Sequence, residues 1–165
     1  MTNMKAIIQS HNQKILREKQ DNQKKKCNCQ KSKKEACPLI GECNIKNVIY
    51  EASVISEKSE KKYVGSTGGE FKKRWYQHMS DFRNKNKRTS TELSKHIWEL
   101  KDNGIKYRVN WKILRKVKQT DDTINKVCTT CNLEKLEIAC ADKKIYLNKR
   151  SELIGKCKHH QKCYF

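Results

Sequence analysis

The chain has 165 residues, with 38 Lys+Arg against 18 Asp+Glu and a formal net charge of +20. Hydrophobic residues make up 35% and charged residues 34%, enough for one modest core and an arm but not for two large domains. No apolar run approaches the roughly 20 residues that cross a bilayer, and the start, MTNMKAIIQSHNQKIL, lacks the apolar stretch and cleavage site of a secretory signal. The positive excess instead points to a polyanion, because lysine and arginine contacts to phosphates release condensed counterions.

Residues 1–26 read as a basic helical arm or linker that runs into Lys24-Lys25-Lys26. Residues 27–46 follow as a cysteine-rich segment, CNCQKSKKEACPLIGEC, too short to bury a core of its own. The chain holds nine cysteines, an odd number in close pairs. Without an export signal, such spacing favours zinc ligation in a reducing, intracellular compartment over disulfides. Cys27, Cys29, Cys37 and Cys43 form one candidate four-sulfur site. The surrounding lysines (24–26, 31, 33 and 34) allow either DNA contact or a folding staple with incidental charge.

From residue 47 to 165 the pattern is globular. NVIYEASVIS is β-branched and aromatic and predicts a strand; EKSEK turns it, and KKYVGS returns as the antiparallel partner. EFKKRWYQHMSDF predicts a helix with Phe71, Trp75 and Phe82 at helical spacing, and with Arg74 and His78 four apart on one face. TSTELSKHIWELKDNG predicts a second helix. Thr89 and Glu92 offer a capping box, Leu93, Ile97 and Leu100 a stripe, and Gly104 a stop. IKYRVNWKIL alternates Ile105, Tyr107, Val109, Trp111 and Ile113, a strand. CTTCNLEKLEIAC predicts a helix with Leu133, Leu136 and Ile138 as its apolar residues and Cys140 buried, and NKRSELIGKC a last short one. The order β-β-α-α-β-α-α describes an α+β fold, a small three-stranded antiparallel sheet flanked by helices.

Cys128 and Cys131 have the two-residue spacing that lets both sulfurs grip one tetrahedral ion. The terminal KCKHHQKC supplies further ligands, Cys157 and His159 in the favoured set, with His160 and Cys163 as alternatives. Four filled positions make such a zinc site structural, a staple of the C-terminus against the preceding helix.

Val48-Ile49-Tyr50, Tyr63-Val64-Gly65, Arg74 with His78, a glutamate on a later helix and Asn148 together resemble the GIY-YIG nuclease superfamily over about residues 47–155. More narrowly, NVIYEA, KKYVGST, ELSKHIWELK, KLEI and LNKRSELI are similar to the endonuclease portion of Penelope-like retroelements. The first tripeptide lacks the name-giving glycine, and the turn GSTGGEFKKR is one residue longer than in many relatives, so an ungapped count would put Lys73 where Arg74 is assigned. The resemblance implies a DNA endonuclease that nicks target DNA for integration and acts in the nucleus. It also implies a covalently linked reverse transcriptase upstream, with residues 1–26 as the tether.

The chemistry of the residues runs in parallel. Phosphodiester hydrolysis needs an activated water, stabilisation of phosphoryl charge and help for the leaving oxygen. Arg74 suits phosphate, because its planar fork binds in a bidentate way and keeps its charge. His78 either relays a proton near neutral pH or packs as a helix histidine. Tyr50 is a poor base unless cations (Arg74, a divalent metal or Lys62) favour its phenolate; the resemblance gives it the activation of water and gives Tyr63 a supporting part. Magnesium, or manganese, calls for carboxylate oxygen. Glu134 is the first choice, with Ile138 four residues on as in the family's glutamate helix, and Glu137 is the alternative. Asn148 either holds the site's geometry or caps a helix. A competing reading keeps the charge and the zinc and drops catalysis, leaving a nucleic-acid-binding module.

Overall fold

A computed structural model describes residues 11, 27, 29, 37–57, 59–117, 128–149 and 151–154. The chain divides into two units, Met1–Asn44 and Ile45–Phe165. Residue 11 apart, the arm of residues 1–26 lies outside the described residues, as do Cys157, His159, His160 and Cys163.

In the second unit β1 (Val48–Ser56) and β2 (Glu60–Thr67) form an antiparallel hairpin running from Val48 opposite Thr67 to Ile55 opposite Glu60. Helices α1 (Phe71–Arg83) and α2 (Glu92–Asp102) then cross over to β3 (Tyr107–Lys116), which pairs antiparallel with the other edge of β1. The sheet order is therefore β2-β1-β3. Helix α3 (Thr129–Cys140) and the short α4 (Ser151–Ile154) complete the described part. Among the described residues no helix is long and apolar enough to cross a membrane.

As the central strand, β1 is covered on both faces, and its run of buried residues from Val48 to Ala52 reflects that. Strand alternation sends Ala52, Val54 and Tyr63 to one face, against Phe82 of α1 and Leu93, Ile97 and Leu100 of α2. Ile49 and Val64 go to the other, with Val117, Leu133 and Ile138. Helices α1 and α2 thus cover one face and α3 the opposite one. One expectation for α3 fails, since Cys140 is exposed; Leu136 is 51% exposed as well. The helix touches the sheet along a narrow stripe through Leu133 and Ile138, and these two residues point away from it.

Helix α2 ends as expected. Gly104 takes φ +66, its N–H donates to Lys101 O at 3.0 Å and Ile105 N–H donates to Leu100 O at 2.9 Å, the paired bonds of a Schellman motif. Its start differs from the expected Thr89 capping box. Thr91 is the cap, accepting from Ser94 N–H at 3.0 Å, while the Glu92 carboxylate pairs with Lys149 at 2.6 Å. Thr91→Ala should therefore cost about 1 kcal/mol and Thr89→Ala close to nothing, read as the shift in urea midpoint.

Candidate active site

The β1–β2 register sets Tyr50 directly opposite Gly65. The phenol lies across the glycine so closely that a Cβ there would stand 2.5 Å from Tyr50 Oη and 2.7 Å from Cζ. Gly65 is required here for space. On the other side of Tyr50 the β1–β3 register shifts between Ile49 and Tyr50, an irregularity of the kind that re-aims a side chain. Phe71 and Trp111 hold the ring with centroids at 5.2 and 5.9 Å.

The buried face of α1 delivers two groups to this phenol. Arg74 Nε donates to Tyr50 Oη at 3.1 Å, and His78 Nε2 lies 2.8 Å from the same oxygen. The Arg-x-x-x-His spacing thus places both residues on Tyr50, and Arg74, not Lys73, makes the contact. Burial pushes the Tyr50 phenol above its ordinary range, with Arg74 opposing. Without a metal ion, desolvation outweighs the single guanidinium, although Arg74 acts in the expected direction. Lys62 gives no help, since it pairs with Glu51 at 3.6 Å and Glu51 also accepts from Tyr146 Oη at 2.7 Å.

His78 is 1% exposed, and burial, then the Arg74 charge, pushes its imidazole down to about 3. It is neutral throughout the physiological range. The neutral imidazole carries one proton, so either Nε2 accepts from the phenol with the proton on Nδ1, or Nε2 donates to the phenol oxygen beside Arg74. Nδ1 is buried with no partner among the described residues.

Tyr63 is buried on the same face, its ring centroid 6.2 Å from that of His78, and burial raises its phenol as well. Glu134 arrives from α3, on the other face of the sheet. Its Oε2 accepts from Ser66 Oγ at 2.8 Å. Burial raises the carboxyl above its ordinary range, the Ser66 hydrogen bond opposes, Glu152 pushes the same way as burial, and Arg74 pulls it back. Tyr50 and Tyr63 both feel the Glu134 charge. The carboxylate is therefore within electrostatic reach of the arginine and both phenols, although its hydrogen bond is to Ser66. Glu137 pairs instead with Arg115.

Asn148 acts on the outer edge of β2 as a peptide group would, extending the bridge that Lys62 makes with Tyr146. Its Oδ1 accepts from Val64 N–H at 2.8 Å and its Nδ2 donates to Val64 O at 2.9 Å. The same Nδ2 donates to Glu152 Oε2 at 2.9 Å, and Glu152 Oε1 accepts from Lys149 N–H at 3.0 Å. Glu152 is the site neighbour that sequence reasoning missed; its signal was the four-residue step from Asn148 in LNKRSE. Glu134 is thus a half-shielded carboxylate with the Glu152 charge nearby, the kind of oxygen donor that a divalent ion uses.

In the first unit the Sγ atoms of Cys27, Cys29, Cys37 and Cys43 all lie within 4.8 Å of one another. A tetrahedral zinc with 2.3 Å bonds needs sulfurs about 3.8 Å apart. Cys27 and Cys37 stand 3.4 Å apart, Cys29 and Cys43 3.5 Å, so the four fit such an ion. A hydrogen bond from the Cys29 backbone draws the Cys27 thiol down to about 6, whereas burial raises Cys43. In the second unit Cys128 caps α3, its sulfur accepting from Cys131 N–H at 3.5 Å.

Residues 46–110 match the family model of the GIY-YIG catalytic domain. The match runs from the start of β1 into β3 and contains Tyr50, Tyr63, Arg74 and His78; Glu134 and Asn148 lie beyond it. No curated protein and no solved structure matches the chain. The match supports, in general terms, a nuclease function and DNA as the substrate.

Proposed function

We propose that residues 45–165 are a magnesium- or manganese-dependent DNA endonuclease of the GIY-YIG type. In the full-length protein this domain follows the reverse transcriptase of a Penelope-like retroelement and nicks target DNA to prime insertion. On this reading the protein works in the nucleus. The observation that carries it is the Arg74–Tyr50–His78 hydrogen-bonded group seated over Gly65, with the Glu134 charge in reach.

Each residue then has a part. Arg74 is half-buried, keeps its charge, and offers phosphoryl oxygens the N–H groups that Tyr50 and Gln77 do not occupy. Neutral His78 orients the Tyr50 hydroxyl through their shared hydrogen bond. Glu134 would hold the divalent ion, which when bound supplies Lewis acidity and lowers the pKa of its water. Asn148 fixes the β2 edge and, through it, the strand that carries Tyr63 and Gly65.

A plasmid nicking assay with magnesium tests this. Arg74→Ala and Glu134→Ala should each lower cleavage roughly 10²–10³-fold while DNA binding persists, as expected for the loss of groups that stabilise developing charge. Unchanged cleavage in both variants would sink the assignment. The four-sulfur cluster and the +20 charge favour one rival, a zinc-stabilised nucleic-acid-binding module without catalysis. A zinc-loaded chain that binds DNA with steep salt dependence and never cuts it would establish that rival.

A further inference from the structure

Helix α1 presents a second feature on its outer side, bordered by Arg74. A cavity of about 490 Å3 is lined by Lys73, Arg74, Tyr76, Gln77, Ser80 and Lys87, with Asp81 at its wall. That volume falls in the range of small-ligand sites. Its chemistry is graded. Arg74 borders both this cavity and Tyr50, so the cavity adjoins the candidate active site. Lys73 is exposed, and Lys87 reaches Asp81 only loosely, at 3.8 Å. Tyr76 is 48% exposed, and its ring leans on Trp75 at 4.9 Å, itself buried. A large aromatic ring held in water by a rigid neighbour has no part in the core; next to cationic groups it is a stacking platform. Ser80 and the Gln77 amide N–H groups add polar contacts for a base edge, while the Gln77 oxygen accepts from Arg74 and Asp81 accepts from Ser90.

We infer that this cavity receives an unpaired nucleotide of the substrate strand next to the cleaved bond, its base on Tyr76 and its phosphates at Lys73 and Lys87. The substrate is then DNA interrupted by an unpaired nucleotide, in preference to uninterrupted duplex. The inference rests on the nuclease reading only for its orientation, in that Arg74 takes the cleaved phosphate.

Equilibrium binding of the zinc-loaded full chain, with no magnesium or manganese added, tests it. The probes are one duplex and the same duplex carrying a single unpaired nucleotide. The unpaired probe should bind roughly tenfold tighter. Tyr76→Ala should remove that preference and leave duplex affinity alone, and Tyr76→Phe should keep it. Lys73→Gln and Lys87→Gln should each lower the slope of log K against log salt by about one. Lys143→Gln, outside the cavity, should not. Equal affinity for the two probes, equal loss on both in Tyr76→Ala, or unaltered slopes would overturn the inference. Matching thermal melts exclude unfolding as the cause, and Tyr76→Phe carries the test should Tyr76→Ala be unstable. A chain that behaves as expected here yet never nicks with magnesium sinks the nuclease reading alone; one that nicks but treats the probes alike sinks this inference alone.

Discussion

Gly65→Ala is expected to end nicking and to destabilise the second unit by about 1–3 kcal/mol, the range for overpacking a filled core. The added methyl would stand 2.5 Å from Tyr50 Oη and 2.7 Å from Cζ, so either the ring or the strand must move. The ring has little room: Tyr50 is fully buried, with Phe71, His78 and Trp111 around it. The strand is pinned from outside by Asn148, which holds both backbone groups of Val64, the residue before the glycine. Either movement pulls the phenol oxygen from Arg74 and His78. The loss of activity should therefore match or exceed that of Tyr50→Phe, which removes the hydroxyl and leaves the packing. A double-mutant cycle separates the contact from general damage. In a Tyr50→Ala background the same glycine substitution should cost well under 1 kcal/mol, because the opposing atoms are gone. Urea unfolding of the four proteins decides it; additive costs would show that the glycine matters for some other reason.

This pairing shows how much of the site the sequence makes visible. The tripeptides Val48-Ile49-Tyr50 and Tyr63-Val64-Gly65 announce themselves as pieces of strand, and the alternation in IKYRVNWKIL announces the third. Because periodicity is local, the element order and the three-stranded sheet follow from it. Arg74 over Lys73 was also legible, because a residue four before His78 shares its helix face and one five before does not. What a residue four or more positions away in space will do is a different matter. Thr89 and Thr91 both precede α2, and the choice between them depends on where the chain enters the helix; the Glu92 side chain, engaged by Lys149, left Thr91 as the cap. Lys62 sits next to Tyr63 in the chain, yet alternation sends it to Glu51 and Tyr146 on the other face. Glu134 and Glu137 differ by less than one turn, and the Arg115 partner of Glu137 comes from β3, 22 residues earlier. The sign of the Tyr50 shift was likewise invisible, because it depends on how much burial outweighs one cation.

Between pH 7 and pH 4 the protein should lose about 3 kcal/mol through His78 alone, more than half of the stability of a marginal domain. The imidazole titrates at about 3 in the fold against an ordinary 6.5, so from pH 6.5 downward the unfolded chain binds a proton that the folded one refuses. Stability then rises with pH across that interval and is fully present above it. The cause is geometric. His78 is 1% exposed, Nε2 shares the Tyr50 hydrogen bond, Nδ1 has no partner among the described residues, and Arg74 stands on the same phenol oxygen. A second proton would put an unpaired cation beside a guanidinium in an apolar wall, the costliest arrangement for a buried charge. His78→Gln keeps a hydrogen-bonding side chain on Tyr50 and removes the titration. Its stability should therefore fall by about 3 kcal/mol less than wild type over the same change of pH, whatever the carboxylates and thiols contribute to both proteins. Urea midpoints at pH 7, 5.5 and 4 for the two proteins measure the difference directly. Parallel curves would mean that His78 opens to water in solution, and with that the rigid seating of Tyr50 between Arg74 and His78 would be lost.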